Sequence, residues 1–344
     1  MISDKAAPPL RIVYRSAEAE NGKPRPAYYS KTLALVSLLR AAAALPARPE
    51  IVFLNDGDIP RDRLSLMEAH GTVRAIEGGS NRKTFRAAVA RQAALATDTD
   101  DLVWFAEDDY LYSPHAFTSL LAAASSFPHA DYFSLYGSDA LDPSTPGRRP
   151  TRRPEPGAVL DPEARAAGAA TWYRAYATTS TFAVRSRILR EDAALLRLMP
   201  FTGGAWDTAT CLTYQGYLPF GVADLLPDGT TSVMRAIPRG LVRAVIGLRS
   251  LRRPSRRRVQ LGADPELISH MEIADPTTRS PVSARTESVD WNQLAVDTMF
   301  WAADRGIPVP TGSNPPVTAR SGGRRAPEHR VDGLPLALPL ASPS

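Results

Sequence analysis

Glu107, Asp108 and Asp109 stand side by side at the end of an apolar run, Leu102-Val103-Trp104-Phe105-Ala106. Three adjacent carboxylates repel one another, and any loss of water makes their ionisation costlier. Two readings relieve that strain. As solvated loop acids or helix caps they need no partner, although Ser113-Pro114 already supplies a helix start just beyond them. Alternatively, a divalent cation and the phosphates it carries neutralise them, and carboxylate oxygens suit Mg²⁺ or Mn²⁺.

Three more clusters carry chemistry-bearing side chains. Asn55-Asp56-Gly57-Asp58 closes a second apolar run, Ile51–Leu54. Asp58 is explained by capping the next helix, whereas Asp56 is free to hold a base or a ribose. Gly78–Arg86 (GGSNRKTFR) places Arg82, Lys83 and Arg86 at a helix start, where positive side chains and the helix terminus make an anion site. It is neither a dinucleotide fingerprint nor a P-loop. Gly203-Gly204-Ala205-Trp206-Asp207 opens another helix. There Asp207 is either a cap or, partly desolvated beside a pocket wall of Trp206, a general base. His270 has no metal-ligand spacing around it.

These side chains need a scaffold that collects them, and the chain alternates strands and helices. Strands are expected at Arg11–Tyr14, Ile51–Leu54, Thr72–Ile76 and Leu102–Ala106, with helices over Ser30–Ala44, from Pro60 and over Thr84–Ala96. Runs apolar on both faces indicate a parallel sheet, and ligands bind at the carboxyl edge of such sheets. Further on, a helix over 114–126 and a strand over Asp131–Tyr136 precede a Pro- and Arg-rich loop at 138–165. A strand at Ala177–Val184, helices at Ser186–Leu198 and from Trp206 to Gln215, and a strand at Gly216–Val222 follow. Asp290 caps a last helix, Trp291–Asp304, whose Trp291, Phe300 and Trp301 read as core.

With 344 residues, 44% apolar and 22% charged, the chain has the composition of a globular protein large enough for a substantial core. One cysteine, Cys211, excludes an internal disulfide and a Cys-rich zinc site. The net charge of +5 is concentrated: nine arginines and no acid lie between Thr230 and Ala263, so the remainder is net acidic and a nucleic-acid-binding core is not suggested. Within that Arg-rich insert, Gly240–Leu251 reads as a helix with Leu241, Val245 and Leu248 on one side and Arg239, Arg243 and Arg253 on another. A solvated basic helix is the first reading, and docking to an anionic membrane surface or a partner is the second. Without a signal sequence or a membrane-spanning run, the expectation is a cytoplasmic protein, peripheral to the membrane under the second reading of the insert. Residues 313–344 read as a disordered tail.

Together the motifs resemble the nucleotide-sugar-dependent glycosyltransferases of the GT-A fold, closest to the family 2 type. The likeness runs over Arg11–Leu120 and again over Gly203–Gly216. It implies a single GT-A-like, Rossmann-like α/β domain over 1–312 with a doubly wound, mixed, mostly parallel sheet. Residues 10–137 would form the nucleotide-binding half and 138–312, with the Arg-rich insert at 230–262, the acceptor-side half. The resemblance implies nucleotide contacts from Tyr14, Arg15, Asp56, Asp58, Lys83, Arg86, Glu107 and Asp108. Mn²⁺ or Mg²⁺ would sit on Asp109, with Asp108 and a late histidine, His270, completing the site. Asp207 would be the inverting base, and Gly204 and Trp206 would face a hydroxyl acceptor. Ala106 occupies the first position of the usual Asp-x-Asp if Asp108 is the last, and Glu107 substitutes there if Asp109 is; Trp206 stands where an acid commonly precedes the base. The competing readings are a nucleotidyltransferase and a catalytically inactive nucleotide-binding scaffold. Against the first, Tyr14–Arg25 lacks a Gly-rich, Lys-containing opening.

Overall fold

The computed structural model describes residues 7–20, 22–141, 152–153, 163–225, 233–251, 257–273 and 289–310. Side chains that alternate between two buried faces build its centre. In β1 (Leu10–Ala17), Ile12 and Tyr14 face one side and Val13 the other. β2 (Glu50–Asp56) divides Ile51 and Phe53 from Val52 and Leu54, and the edge strand β3 (Thr72–Ile76) pairs with it. β4 (Leu102–Glu107) divides Trp104 and Ala106 from Val103 and Phe105.

A sheet apolar on both faces has to be covered twice. On the Trp104 side lie α1 (Lys31–Ala43), α2 (Arg61–His70) and α4 (Ala116–Ser126), through Leu35 and Leu38, Met67, and Phe117 and Leu120. On the Phe105 side lie α3 (Asn81–Leu95), α5 (Ser186–Leu198) and α6 (Trp206–Gln215), through Phe85 and Val89, Ile188 and Leu195, and Tyr214. Helix α7 (Val233–Leu251) adds Ile246 to that face, and α8 (Trp291–Ala303) packs with α1 in a satellite cluster around Leu33 and Trp291.

The remaining strands are β5 (Tyr110–Tyr112), β6 (Tyr132–Ser134), β7 (Ala140–Leu141), β8 (Arg152–Arg153), β9 (Arg165–Ala167), β10 (Ala170–Arg174), β11 (Phe182–Arg185), β12 (Gln260–Asp264) and β13 (Ile268–His270). Nine of the thirteen form one sheet in the order β3-β2-β1-β4-β11-β6-β12-β10-β9. Only β10 and β11 run against the others. The result is the doubly wound α/β architecture that the alternation of elements implies, with a mixed, mostly parallel sheet. β5 and β13 form a separate antiparallel pair, as do β7 and β8.

Several local expectations are corrected. Strand character over Ala177–Val184 begins only at Phe182: Thr178 Oγ1 donates locally to Thr181 O at 3.1 Å, which holds a turn, and it also lies 2.9 Å from Ser134 Oγ on β6. Gly216–Val222 contains no strand: Gly216 ends α6 in the left-handed region at φ 88°, and Val222–Leu225 is a short 3-10 turn. The Arg-rich helix starts at Val233 rather than Gly240. Among the described residues of 138–165, β7 and β8 pair and β9 begins at Arg165. Trp291 is core, as expected, but Phe300 is 66% exposed. The tail at 313–344 lies outside the described residues.

Candidate active site

β1, β2 and β4 finish at one edge of the sheet, with Ala17 opposite Asp56 and Arg15 opposite Glu107. The loop after β1 and the starts of α1 and α3 close a cavity of about 470 Å³ there, lined among others by Arg15, Ser16, Asp56, Asn81 and the three acids. Asp56 accepts from Gly78 N at 2.8 Å and Gly79 N at 2.7 Å, so it ties the turn before α3 to the end of β2. Gly78 is needed for that approach: a Cβ there would lie 2.1 Å from Thr84 Cγ2 and 2.8 Å from Asp56 Oδ2.

Each of the three acids meets its own cation. Arg15, 5% exposed, bonds Glu107 Oε1 at 2.6 Å, Asn81 Oδ1 at 2.7 Å and Thr84 Oγ1 at 3.1 Å. Lys31, at the start of α1, sits 3.2 Å from Asp108 Oδ2 and donates to the carbonyls of Ala17 and Ala19. Asp108 Oδ2 also accepts from Ser16 Oγ at 3.0 Å and Ala17 N at 2.9 Å. Arg25 donates to Asp109 Oδ2 at 3.2 Å and to Met271 O at 2.7 Å. Burial pushes the Glu107 and Asp108 carboxyls up, with Arg15 and Lys31 opposing it.

The β5–β13 pair delivers the histidine. His270 pairs with Tyr110, Met271 N donates to Asp109 O at 2.9 Å, and the His270 ring stacks on Tyr110 at 4.6 Å. Its Nε2 is in hydrogen-bond contact with Asp109 Oδ2 at 3.0 Å and lies within ion-pair distance of Glu272 Oε1 at 3.2 Å. Burial lowers the imidazole pKa, but the bonds to Asp109 and Glu272 outweigh it and raise it to about 9. Burial likewise raises Asp109, but the His270 bond and charge together with Arg25 hold it at about 2. Glu272 is lowered for the same reason, with Lys23 at 2.7 Å helping. One ligand atom from each of Asp109, His270 and Glu272 lies within 4.8 Å of the other two. Two carboxylate oxygens and one imidazole nitrogen fit Mn²⁺ or Mg²⁺, once the histidine gives up its proton.

Asp207 sits in the first turn of α6, half-buried, with Oδ1 accepting from Thr208 N at 3.0 Å. Burial raises its carboxyl above the ordinary range, and backbone bonds and the charges of His270 and Lys23 oppose that. Its field therefore overlaps that of the Asp109–His270 cluster. Trp206 packs on Phe85 at 4.9 Å, and Gly204, at φ +61°, faces open space.

The fold thus gathers Arg15, Asp56, Glu107, Asp108 and Asp109 around one cavity and sets His270 beside Asp109. It places other expected residues elsewhere. Tyr14 is buried against Phe53 in the core. Asp58 is exposed and does not cap α2, which starts after Pro60 without a side-chain cap. Lys83 is exposed, and Arg86 donates to Arg197 O and lies over Phe201. Asp108 is bound into the β1 exit rather than into the Asp109 cluster. Arg25, Lys31 and Glu272 were not expected from the sequence. Glu272, two residues after His270, left a usable His-x-Glu signal, whereas Arg25 and Lys31 are ordinary loop and helix-start cations until the fold pairs them.

No protein-family profile matches the chain, and no curated protein matches it. Among solved structures, its backbone is similar to that of S. aureus TarS 1-349 at 14% identity, covering 59% of this chain and 54% of that one with a TM-score of 0.36. It is also similar to 4-diphosphocytidyl-2C-methyl-D-erythritol synthase at 14% identity, covering 68% and 98%, TM-score 0.34. A third likeness is to CMP:2-keto-3-deoxy-manno-octonic acid synthetase complexed with CTP, at 14% identity, covering 59% and 83%, TM-score 0.32. The match spans about half the length of the TarS chain.

Proposed function

We propose that the chain is an inverting glycosyltransferase that moves a sugar from a nucleoside-diphosphate donor to a hydroxyl acceptor. The observation that carries this reading is the gathering of acids and cations at the carboxyl edge of the sheet: Arg15, Lys31 and Arg25 line one cavity with Glu107, Asp108 and Asp109, and His270 and Glu272 stand beside Asp109. Asp56 and the Gly78–Gly79 turn would face the base and ribose. Arg15, Arg25 and Lys31 would face the diphosphate. A bound Mn²⁺ or Mg²⁺ on Asp109, His270 and Glu272 would supply further charge stabilisation to the leaving diphosphate.

Asp207 would take the proton of the acceptor hydroxyl as its oxygen attacks the anomeric carbon. The bond from that carbon to the diphosphate oxygen breaks, releasing the nucleoside diphosphate and inverting the anomeric centre. A carboxyl pushed up by burial is more basic than a solvated one, which suits this role. Isothermal titration with nucleoside diphosphates in Mn²⁺, followed by product analysis with a panel of nucleotide sugars, tests the reading. Asp109→Asn is expected to lose Mn²⁺-dependent nucleotide binding. Asp207→Asn is expected to keep nucleotide affinity and lose at least about a hundredfold in transfer. A wild-type chain that binds no nucleotide with or without metal overturns it.

A further inference from the structure

Helix α7 turns its charged face to the protein and its apolar face outward. Ile237, Leu241, Val245, Leu248 and Leu251 follow one another at helical spacing and form a single stripe. They are 57, 64, 52, 57 and 49% exposed. The opposite side packs: Ile246 and Ser250 are buried, and Arg239 Nε and Arg243 Nε each donate to Thr202 O at 3.0 Å. Arg243 also donates to Asp224 O and lies over the Phe220 ring. A surface helix of a globular protein ordinarily does the reverse, and an exposed stripe of this extent marks an interaction surface.

Charge identifies the occupant. The segment from Thr230 to Ala263 holds nine arginines and no acid. Arg239 and Arg243 donate to the Thr202 carbonyl, and Arg249 and Arg257 lie at and beyond the end of the helix. Arg258 is paired with Asp192 and Glu191. A second copy would bring the same positive field against itself. An apolar stripe in a segment of net positive charge suits an anionic bilayer, whose acyl boundary takes the stripe and whose headgroups are attracted by that charge. Among the described residues no helix is long and apolar enough to cross a membrane, so the stripe can only lie in the interface.

We propose that the Ile237–Leu251 stripe of α7 docks the chain on an anionic membrane surface. The packed side of α7, opposite the stripe, contacts the turn that leads to Asp207: a Cβ on Gly203 would lie within 2.8 to 2.9 Å of the Arg239 guanidinium.

Sedimentation of the full chain with vesicles of phosphatidylcholine alone, or mixed with phosphatidylglycerol, tests this. Binding is expected to the mixed vesicles, weaker at high salt and weaker to phosphatidylcholine alone. Leu241→Glu with Leu248→Glu is expected to lower partitioning at least about tenfold without moving the thermal midpoint, since both side chains are solvated. Should that pair disturb folding, Leu241→Asn with Leu248→Asn serves in its place. Absence of wild-type binding, binding indifferent to these substitutions, or equal binding to neutral vesicles overturns the proposal. So does a concentration-dependent dimer that the substitutions dissociate when no vesicle binds.

Discussion

Lys31 and Arg11 both sit in ion pairs, and burial decides what each is worth. Arg11 faces Glu50 with side chains 30% and 55% exposed, so Arg11→Ala should change stability by no more than about 0.5 kcal/mol. Lys31 is 5% exposed and serves Asp108 together with two carbonyls. Lys31→Met keeps the volume but strands a buried carboxylate, and the expected loss is about 3 kcal/mol in urea unfolding. Equal effects from the two substitutions would contradict this assignment. The Asp109–His270 pair adds a pH signature in the metal-free chain. His270 is raised to about 9, so its stabilising share is fully present below the ordinary imidazole value and is lost as pH rises through 9. Asp109 is held at about 2, so its share is present above the ordinary carboxylate value and is lost as pH falls through 2. Both shifts describe one ion pair, worth on the order of 2 kcal/mol counted once. Unfolding free energy measured in chelator should therefore fall between pH 7 and 10, and His270→Gln should flatten that limb.

Elements were legible where one segment carries its own evidence. β2 and β4 are continuous apolar runs, and α1, α5 and α6 show helical spacing and recognisable ends, so the sheet edge with Asp56 and Glu107–Asp109 follows from local sequence. β12 and β13 are short, interrupted by Gly262 and polar residues, and stabilised by partners more than a hundred residues away. Their pairing is what brings His270 to Asp109, and no spacing in the chain announces it. The same holds for cations: Arg82, Lys83 and Arg86 cluster in sequence, whereas Arg15, Arg25 and Lys31, which line the cavity and pair with its acids, cluster only in space. The turn before α3 is testable on its own. Gly78→Ala must displace Thr84 or Asp56, and overpacking of this kind costs about 1–3 kcal/mol. Thermal melts should show that loss, with nucleotide affinity falling as well because Asp56 lines the cavity. A neutral Gly78→Ala would mean that the turn is not held against β2.

Across the whole molecule, the electrostatics of the site dictate how its ligands should bind. At the Asp109–His270–Glu272 cluster, the two carboxylates face Arg25, Lys23 and a protonated His270, so two negative charges there meet three positive ones. A divalent cation arriving alone must expel the His270 proton and enter a field with no negative surplus. A nucleoside diphosphate brings the missing negative charge and satisfies the arginines. Metal and nucleotide are therefore expected to bind cooperatively. Mn²⁺ by itself should barely move the thermal midpoint, and the diphosphate by itself should move it modestly. The two together should stabilise the chain by about 2.7 kcal/mol when the nucleotide is at a hundred times its Kd. Arg25→Met tests the argument from the other side. Removing one cation restores a charge balance that admits the metal, so Mn²⁺ alone should then stabilise the variant more than the wild type, while diphosphate affinity falls. A large Mn²⁺ shift in the wild-type chain without nucleotide would mean that the acids, and not their compensating cations, set the field of the site.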